Sequence, residues 1–308
     1  METDRRIMAI VVSKHVLGDV SVKDAMRKQV VRLPADADIG KAIRFLTKHK
    51  VNALLVTGSD DMPIGVVSKT DVVGAYYAGL PLESPLEHIM VGPPIVCTPD
   101  DSLEAALETM RSSGVYRLYV AEHDGHTAIG VLAYPDIVGL LYRYCRECDR
   151  STVNRSRNRA GSDDIARLFV KDVMTPHVTA FTRESSVEGV IEGLSSHRFG
   201  AVLITDASGR PAGVVSKTDL ILAYLHGLPT DALVDAIPLP DRTACCSEDN
   251  LLEEAIRKMI LSDVRRLFVY RESPDNVIGV FSLSDAARAR SGSCHACVSS
   301  RIRVEDAG

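Results

Sequence analysis

Ile64-Gly65-Val66-Val67-Ser68-Lys69-Thr70-Asp71 returns 148 positions later as Ala212-Gly213-Val214-Val215-Ser216-Lys217-Thr218-Asp219. At the same offset Val22-Lys23-Asp24-Ala25-Met26 matches Val170-Lys171-Asp172-Val173-Met174, and Gly79-Leu80-Pro81 matches Gly227-Leu228-Pro229. Further along the offset becomes 149, pairing Leu103 with Leu252, Met110 with Met259, Arg117 with Arg266 and Gly130 with Gly279. Self-similarity at a fixed period must be recognised before any other reading, because it sets the architecture. The chain is a duplication of a unit of about 148 residues.

Each copy is itself double. Gly65 to Gly130 is a step of 65 residues and Gly213 to Gly279 a step of 66. Every quarter runs through the same order. A short extended segment carries Pro and Asp (Val31 to Asp36, Val96 to Asp100) and leads into an amphipathic helix. In the second quarter Leu103, Ala106, Leu107 and Met110 sit at helical spacing. An apolar strand follows (Ala53 to Val56, Leu118 to Val120), then a turn, a second strand and a last helix. The expected fold class is therefore α/β (α+β), four β-α-β-β-α units. A lone unit of about 60 residues buries too little surface to be comfortable, so pairing is expected. The expected divisions are an N-terminal segment 1–18, units at 19–82 and 83–145, an Arg-rich linker 146–166, units at 167–230 and 231–291, and a cysteine-containing tail 292–308.

Composition narrows the function. The 308 residues are 45% apolar and 25% charged, the make-up of an ordinary globular protein. A formal charge of −5 provides no global basic field for a polyanion, and the lack of Trp with only 5% aromatics argues against a base-stacking platform. No apolar run approaches the roughly 18 residues of a membrane span, and Ile7 to Val12 is too short for a signal h-region. Seven cysteines, an odd number in a chain too large to need staples, read as reduced thiols. A cytoplasmic location is expected.

The chemistry concentrates where the last strand of each quarter meets its last helix. The four junctions run from Gly65 to Asp71, Gly130 to Asp136, Gly213 to Asp219 and Gly279 to Asp285. Ser at an N-cap with Asp three residues on is a capping box, and that alone justifies any single copy. The same geometry offers free N–H groups and a partial positive charge to a phosphate. A first-turn carboxylate also suits ribose hydroxyls. Ser68, Ser216 and Ser282 precede their acids in register, whereas the second quarter has Ala133 and Pro135 around Asp136. Lys69 and Lys217 lie inside the motif, and Arg117 and Arg266 just ahead of a central strand. All four are candidate phosphate cations; for the two arginines, a surface side chain paired with a nearby carboxylate is the alternative. His49 and His197 are also equivalent, and read as helix-end residues. No Walker A loop, H-E-x-x-H or Ser-His-Asp candidate is visible, so no enzyme activity is expected.

On these junctions the sequence resembles the cystathionine β-synthase (CBS) domain family from about residue 19 to 290. The resemblance implies four CBS domains paired as two tandem Bateman modules in a pseudo-two-fold disc. It also implies a regulatory role, with AMP, ADP, ATP or S-adenosylmethionine bound in clefts between paired domains. Gly65, Ser68, Lys69, Asp71, Arg117, Asp136, Gly213, Ser216, Lys217, Asp219, Arg266, Ser282 and Asp285 are the nucleotide-site candidates it points to. Asp71, Asp219 and Asp285 would take ribose, with the serines beside phosphate. The departures at Ala133 and Pro135 put phosphate binding at the second cleft in doubt.

Two C-x-x-C pairs, Cys145/Cys148 and Cys294/Cys297, follow the last helices of the two modules. Four thiolates are the full set for tetrahedral zinc or an iron–sulfur cluster. If the modules pair in parallel, the second and fourth domains face each other and these cysteines emerge side by side. A redox pair, an interchain contact or no special role are the alternatives. Cys97 and Cys246 lie in apolar strand contexts and read as small buried hydrophobes. Arg143, Arg146, Arg150, Arg155, Arg157 and Arg159 crowd the first pair; a solvated linker and a nucleic-acid contact both account for them. The expected partners are an adenosyl small molecule and an effector protein of unknown identity, with a homodimer as a further state and no membrane.

Overall fold

The computed structural model describes residues 20–122, 127–147, 168–196, 199–239 and 243–290. Four three-stranded sheets form, each with one parallel and one antiparallel pairing. In the first quarter β1 (Arg32–Pro34) pairs parallel with β2 (Ala53–Thr57), which pairs antiparallel with β3 (Pro63–Ser68). The second quarter repeats this with β4 (Val96–Cys97), β5 (Arg117–Ala121) and β6 (Ala128–Ala133). The third has β7 (Ala180–Thr182), β8 (Ala201–Thr205) and β9 (Pro211–Ser216), and the fourth β10 (Cys245–Ser247), β11 (Arg266–Tyr270) and β12 (Val277–Ser282). All five residues of β2 are buried, as a strand covered on both faces requires.

The helices follow the same repeat. A short α1 (Val22–Ala25) precedes α2 (Ile39–Lys48) and α3 (Lys69–Tyr77). The second quarter carries α4 (Leu103–Ser112) and α5 (Tyr134–Glu147). The third carries α6 (Val187–Ser196) and α7 (Lys217–Leu225), and the fourth α8 (Leu252–Leu261) and α9 (Leu283–Arg290). In α2 the Asp38 side chain accepts from the Lys41 N–H as N-cap, and Ile39, Ala42, Ile43 and Leu46 form the buried face. Burying each of the Ile and Leu side chains contributes about 1.5–3 kcal/mol. Among the described residues no helix is long and apolar enough to cross a membrane.

Within each module the two units are interlocked. Val22 of α1 belongs to the core around Leu103 and Leu118, so the leading segment packs on the second unit, not the first. In return the segment that leads into the second unit lies along β3, where Val66 and Val91 exchange N–H···O bonds. This crossing explains the glycines of the junctions: a Cβ on Gly65 would meet Met90 Sδ at 2.7 Å, and one on Gly130 would meet Met26 Sδ at 2.8 Å. Gly92 sits tighter still, with a Cβ position 2.3 Å from the Ile64 carbonyl oxygen. Backbone cannot give way as a thioether can. Gly92→Ala is therefore expected to destabilise the chain by roughly 1–3 kcal/mol. Gly74→Ala, in an exposed turn of α3 with nothing within 4 Å, should stabilise it by about 0.5–1 kcal/mol. Urea unfolding of the two variants checks both signs.

Two cores run across the modules. One joins the first and third units, combining Leu46, Leu54 and Tyr76 with Val187, Val202 and Tyr224. The other joins the second and fourth, combining Leu118 and Ile137 with Leu267 and Phe281. Helix α3 packs on α7, and α5 on α9. The modules thus pair in parallel, the arrangement on which the four-cysteine reading depended. The Cys145 side chain, Cys148, Cys294 and Cys297 lie outside the described residues, as do most of the linker arginines. Cys97 and Cys246 are buried and unpaired, and burial pushes their thiols up to about 12 and about 11.

Candidate ligand clefts

Each junction puts a strand end against a helix start. At the first, Ser68 caps α3: its hydroxyl accepts from the Thr70 and Asp71 N–H groups, and Asp71 Oδ2 accepts from Ser68 N and Oγ, both at 2.7 Å. Ser216 and Asp219 reproduce this at α7 with the same two distances. At α9, Asp285 Oδ2 accepts from Ser282 N at 2.9 Å and from Ser282 Oγ at 2.6 Å. The capping boxes expected from the sequence are thus present at three junctions. In each, the cap uses one carboxylate oxygen, Oδ2; among the described residues no hydrogen-bond partner is seen for Oδ1 of Asp71, Asp219 or Asp285.

The second junction differs. Asp136 Oδ2 still accepts from the Ala133 N–H at 2.9 Å, but Oδ1 is paired with Arg27 Nε at 2.9 Å. The Asp136 side chain is only 10% exposed. Burial raises the carboxyl, and Arg27 pulls against that rise. Arg27 reaches this place because its residue bridges to Val131 on β6. Its equivalent in the second module is Thr175, bridged to Val280, which brings no charge to Asp285. Arg27 was not singled out from the sequence, although comparison of the repeats shows a basic residue where the other module has Thr.

The candidate cations converge. Lys69 Nζ donates to Thr218 Oγ1 at 2.7 Å, and Lys217 Nζ donates to Thr70 Oγ1 at 2.8 Å. The two Ser-Lys-Thr-Asp motifs therefore face each other across the module seam. Burial, helped by Arg265 and Arg117, pulls Lys69 down to about 8, while Asp219 opposes the shift. Lys217 is lowered by burial and by Arg266, with Asp71 opposing. Arg117 donates to the Ala53 carbonyl at 3.0 Å, at the start of β2 beside the first cleft. Its equivalent Arg266 lies over Gly200, immediately before β8 and beside the third. Arg265 is lowered to about 10 by burial and by Arg117 and Arg27, and it donates to the Lys50 carbonyl at 2.7 Å. All four units thus contribute cations to one central region. Arg265, which the sequence reading passed over, stands beside an expected residue. His49 caps the end of α2, as read, whereas His197 lies outside the described residues.

A model of the CBS domain matches the chain four times, at residues 22–78, 86–143, 170–226 and 234–292. The chain belongs to the CBS-domain family. Its four CBS domains form two tandem Bateman modules. Protein MJ1225 of Methanocaldococcus jannaschii is 23% identical over 201 residues, 65% of this chain and 68% of its own length. The crystal structure of that protein, proposed as an archaeal homolog of g-AMPK, matches with a TM-score of 0.71 at 17% identity, covering 87% of this chain and 99% of its own. An uncharacterized conserved protein from Pyrococcus horikoshii matches with a TM-score of 0.56 at 17% identity, covering 88% and 99%. A 33.4 kDa protein from the ribosomal RNA operon of Thermofilum pendens is 21% identical over 185 residues, 60% of this chain and 58% of its own length. At these identities the structural likeness establishes the fold of this CBS-domain protein. Among the described residues no group of His, Cys, Asp and Glu is arranged to hold a metal ion.

Proposed function

We propose that this CBS-domain chain is a non-catalytic cytoplasmic regulator that binds AMP, ADP or ATP in the first, third and fourth clefts. The observation that carries the reading is the convergence of capped acids and buried cations. Asp71, Asp219 and Asp285 each keep one carboxylate oxygen for ribose hydroxyls. Burial lowers the pKa of every one of Lys69, Lys217, Arg117, Arg265 and Arg266, and neighbouring arginines of this group lower Lys69, Lys217 and Arg265 further. An anion entering that region relieves the repulsion, so phosphate is favoured over the sulfonium of S-adenosylmethionine. Binding acts by linkage: the module arrangement that holds the ligand better is populated, and the affinity for an effector protein changes with it. Calorimetric titration with AMP, ADP, ATP and S-adenosylmethionine tests the reading. The three nucleotides should bind more tightly than S-adenosylmethionine, and the reverse order rejects it.

In this reading the second cleft is closed by the chain itself, because the Arg27 guanidinium holds the acid that ribose would need. Exchanging Arg27→Thr and Ala133→Ser installs the residues found at the equivalent places of the fourth cleft, Thr175 and Ser282. Native mass spectrometry should then show one more bound nucleotide per chain. An unchanged count in the folded double variant would reject the role given to Arg27.

A further inference from the structure

We propose that Lys69 and Lys217 each serve the cleft of the opposite module, so that the first and third sites are completed in trans. The inference rests on the nucleotide reading above and adds to it which lysine meets which phosphate.

Sequence position alone assigns each lysine to its own motif, where it is the first residue of α3 or α7. The side chains leave that motif. Lys69 Nζ ends 2.7 Å from Thr218 Oγ1, in the first turn of α7 and one residue from Asp219. Lys217 Nζ ends 2.8 Å from Thr70 Oγ1, one residue from Asp71. The electrostatics follow the same crossing: the acid acting on Lys69 is Asp219, and the acid acting on Lys217 is Asp71. Arg117 and Arg266 do not cross. Arg117 reaches the Ala53 carbonyl and Arg266 lies over Gly200, each inside its own module. A ligand held by Asp219 therefore has Arg266 from its own module and Lys69 from the other. A ligand held by Asp71 has Arg117 and Lys217. Each lysine is already held at its post by the opposite threonine hydroxyl, so little reorganisation is needed when a phosphate arrives at that helix N-terminus. Occupation of one cleft thereby fixes a side chain that is rooted beside the other, which couples the two sites.

The test uses the full chain with single live clefts. Asp71→Asn with Asp285→Asn leaves the third cleft, and Asp219→Asn with Asp285→Asn leaves the first; asparagine keeps an oxygen for the cap. ADP and adenosine are titrated into each background carrying Lys69→Gln or Lys217→Gln. With only the third cleft live, Lys69→Gln should weaken ADP roughly tenfold, the size of one charge-assisted hydrogen bond, and Lys217→Gln less than twofold. With only the first cleft live the two lysines should exchange roles. Adenosine, which has no phosphate, should bind equally to all four proteins, a result that general loosening of the seam would not give. Weakening of the third cleft by Lys217→Gln, or equal weakening by both lysines, overturns the assignment. Failure of the unsubstituted chain to bind ADP overturns the nucleotide reading itself. Should an asparagine background not fold, a crystal structure of the unsubstituted chain with ADP decides: Lys217 on the phosphates of the ligand held by Asp219 refutes the crossing, and Lys69 there supports it.

Discussion

Tyr76→Ala is expected to cost the protein about 3–5 kcal/mol and to loosen one module from the other. Tyr76 and Tyr224 are equivalent residues, both buried, and their rings stack at 4.8 Å with an interplanar angle of 11° across the seam of α3 and α7. Truncation removes a large buried aromatic surface and the ring contact, the latter alone worth about 0.5–1.5 kcal/mol. It also removes a hydrogen bond. The Tyr76 hydroxyl donates to the Leu228 carbonyl at 2.6 Å, and Tyr224 donates to Leu80 in return. Each module thus ties down the turn that follows the other module's helix. Tyr76→Phe keeps the ring and loses only the hydroxyl, so about 1 kcal/mol is expected. Guanidinium unfolding followed by circular dichroism gives the comparison. A loss below 1 kcal/mol for Tyr76→Ala would mean that the seam adds little to folding, and that each module is stable alone.

The seam also separates what the sequence reveals from what it hides. The repeat of Gly65–Asp71 at Gly213–Asp219 identifies strand end, cap and helix start, because a capping box and an apolar strand are local and depend on neighbours within a few residues. The structure has both where they were read. The destination of the leading segments was not readable. The match of Val22–Met26 to Val170–Met174 shows that the segment repeats, but not that Val22 packs with Leu103 of the next unit. That choice is made by long-range burial. The same limit hid the partner of Asp136: its motif departed visibly at Ala133 and Pro135, yet the closing charge comes from Arg27, 109 residues earlier. The lysines show the limit most clearly. Spacing puts Lys69 beside Asp71, while tertiary packing carries its ammonium to Thr218. Glycine was the better clue than charge, since Gly65, Gly130 and Gly279 each mark a place where a thioether from a crossing segment presses on the strand.

Asp219→Ala should remove nucleotide from the third cleft and, separately, lower stability. The two effects have different origins. Asp219 Oδ2 accepts from Ser216 N and Oγ, so its loss leaves the Ser216 N–H of the α7 cap without its acceptor, at about 1 kcal/mol. The other oxygen is the one available to a ribose, and two charge-assisted hydrogen bonds lost there amount to about 2–3 kcal/mol, or roughly 30- to 150-fold in affinity. Calorimetry should therefore show one site fewer per chain, and thermal unfolding a modest fall in midpoint. Asp219→Asn distinguishes the contributions: the amide oxygen still accepts at the cap, but an NH2 replaces the second acceptor that the ribose needs. Stability should recover more than binding does. The opposite pattern, a destabilised Asp219→Ala protein that retains every nucleotide, would reduce Asp219 to a helix cap and return all three junctions to a purely structural role.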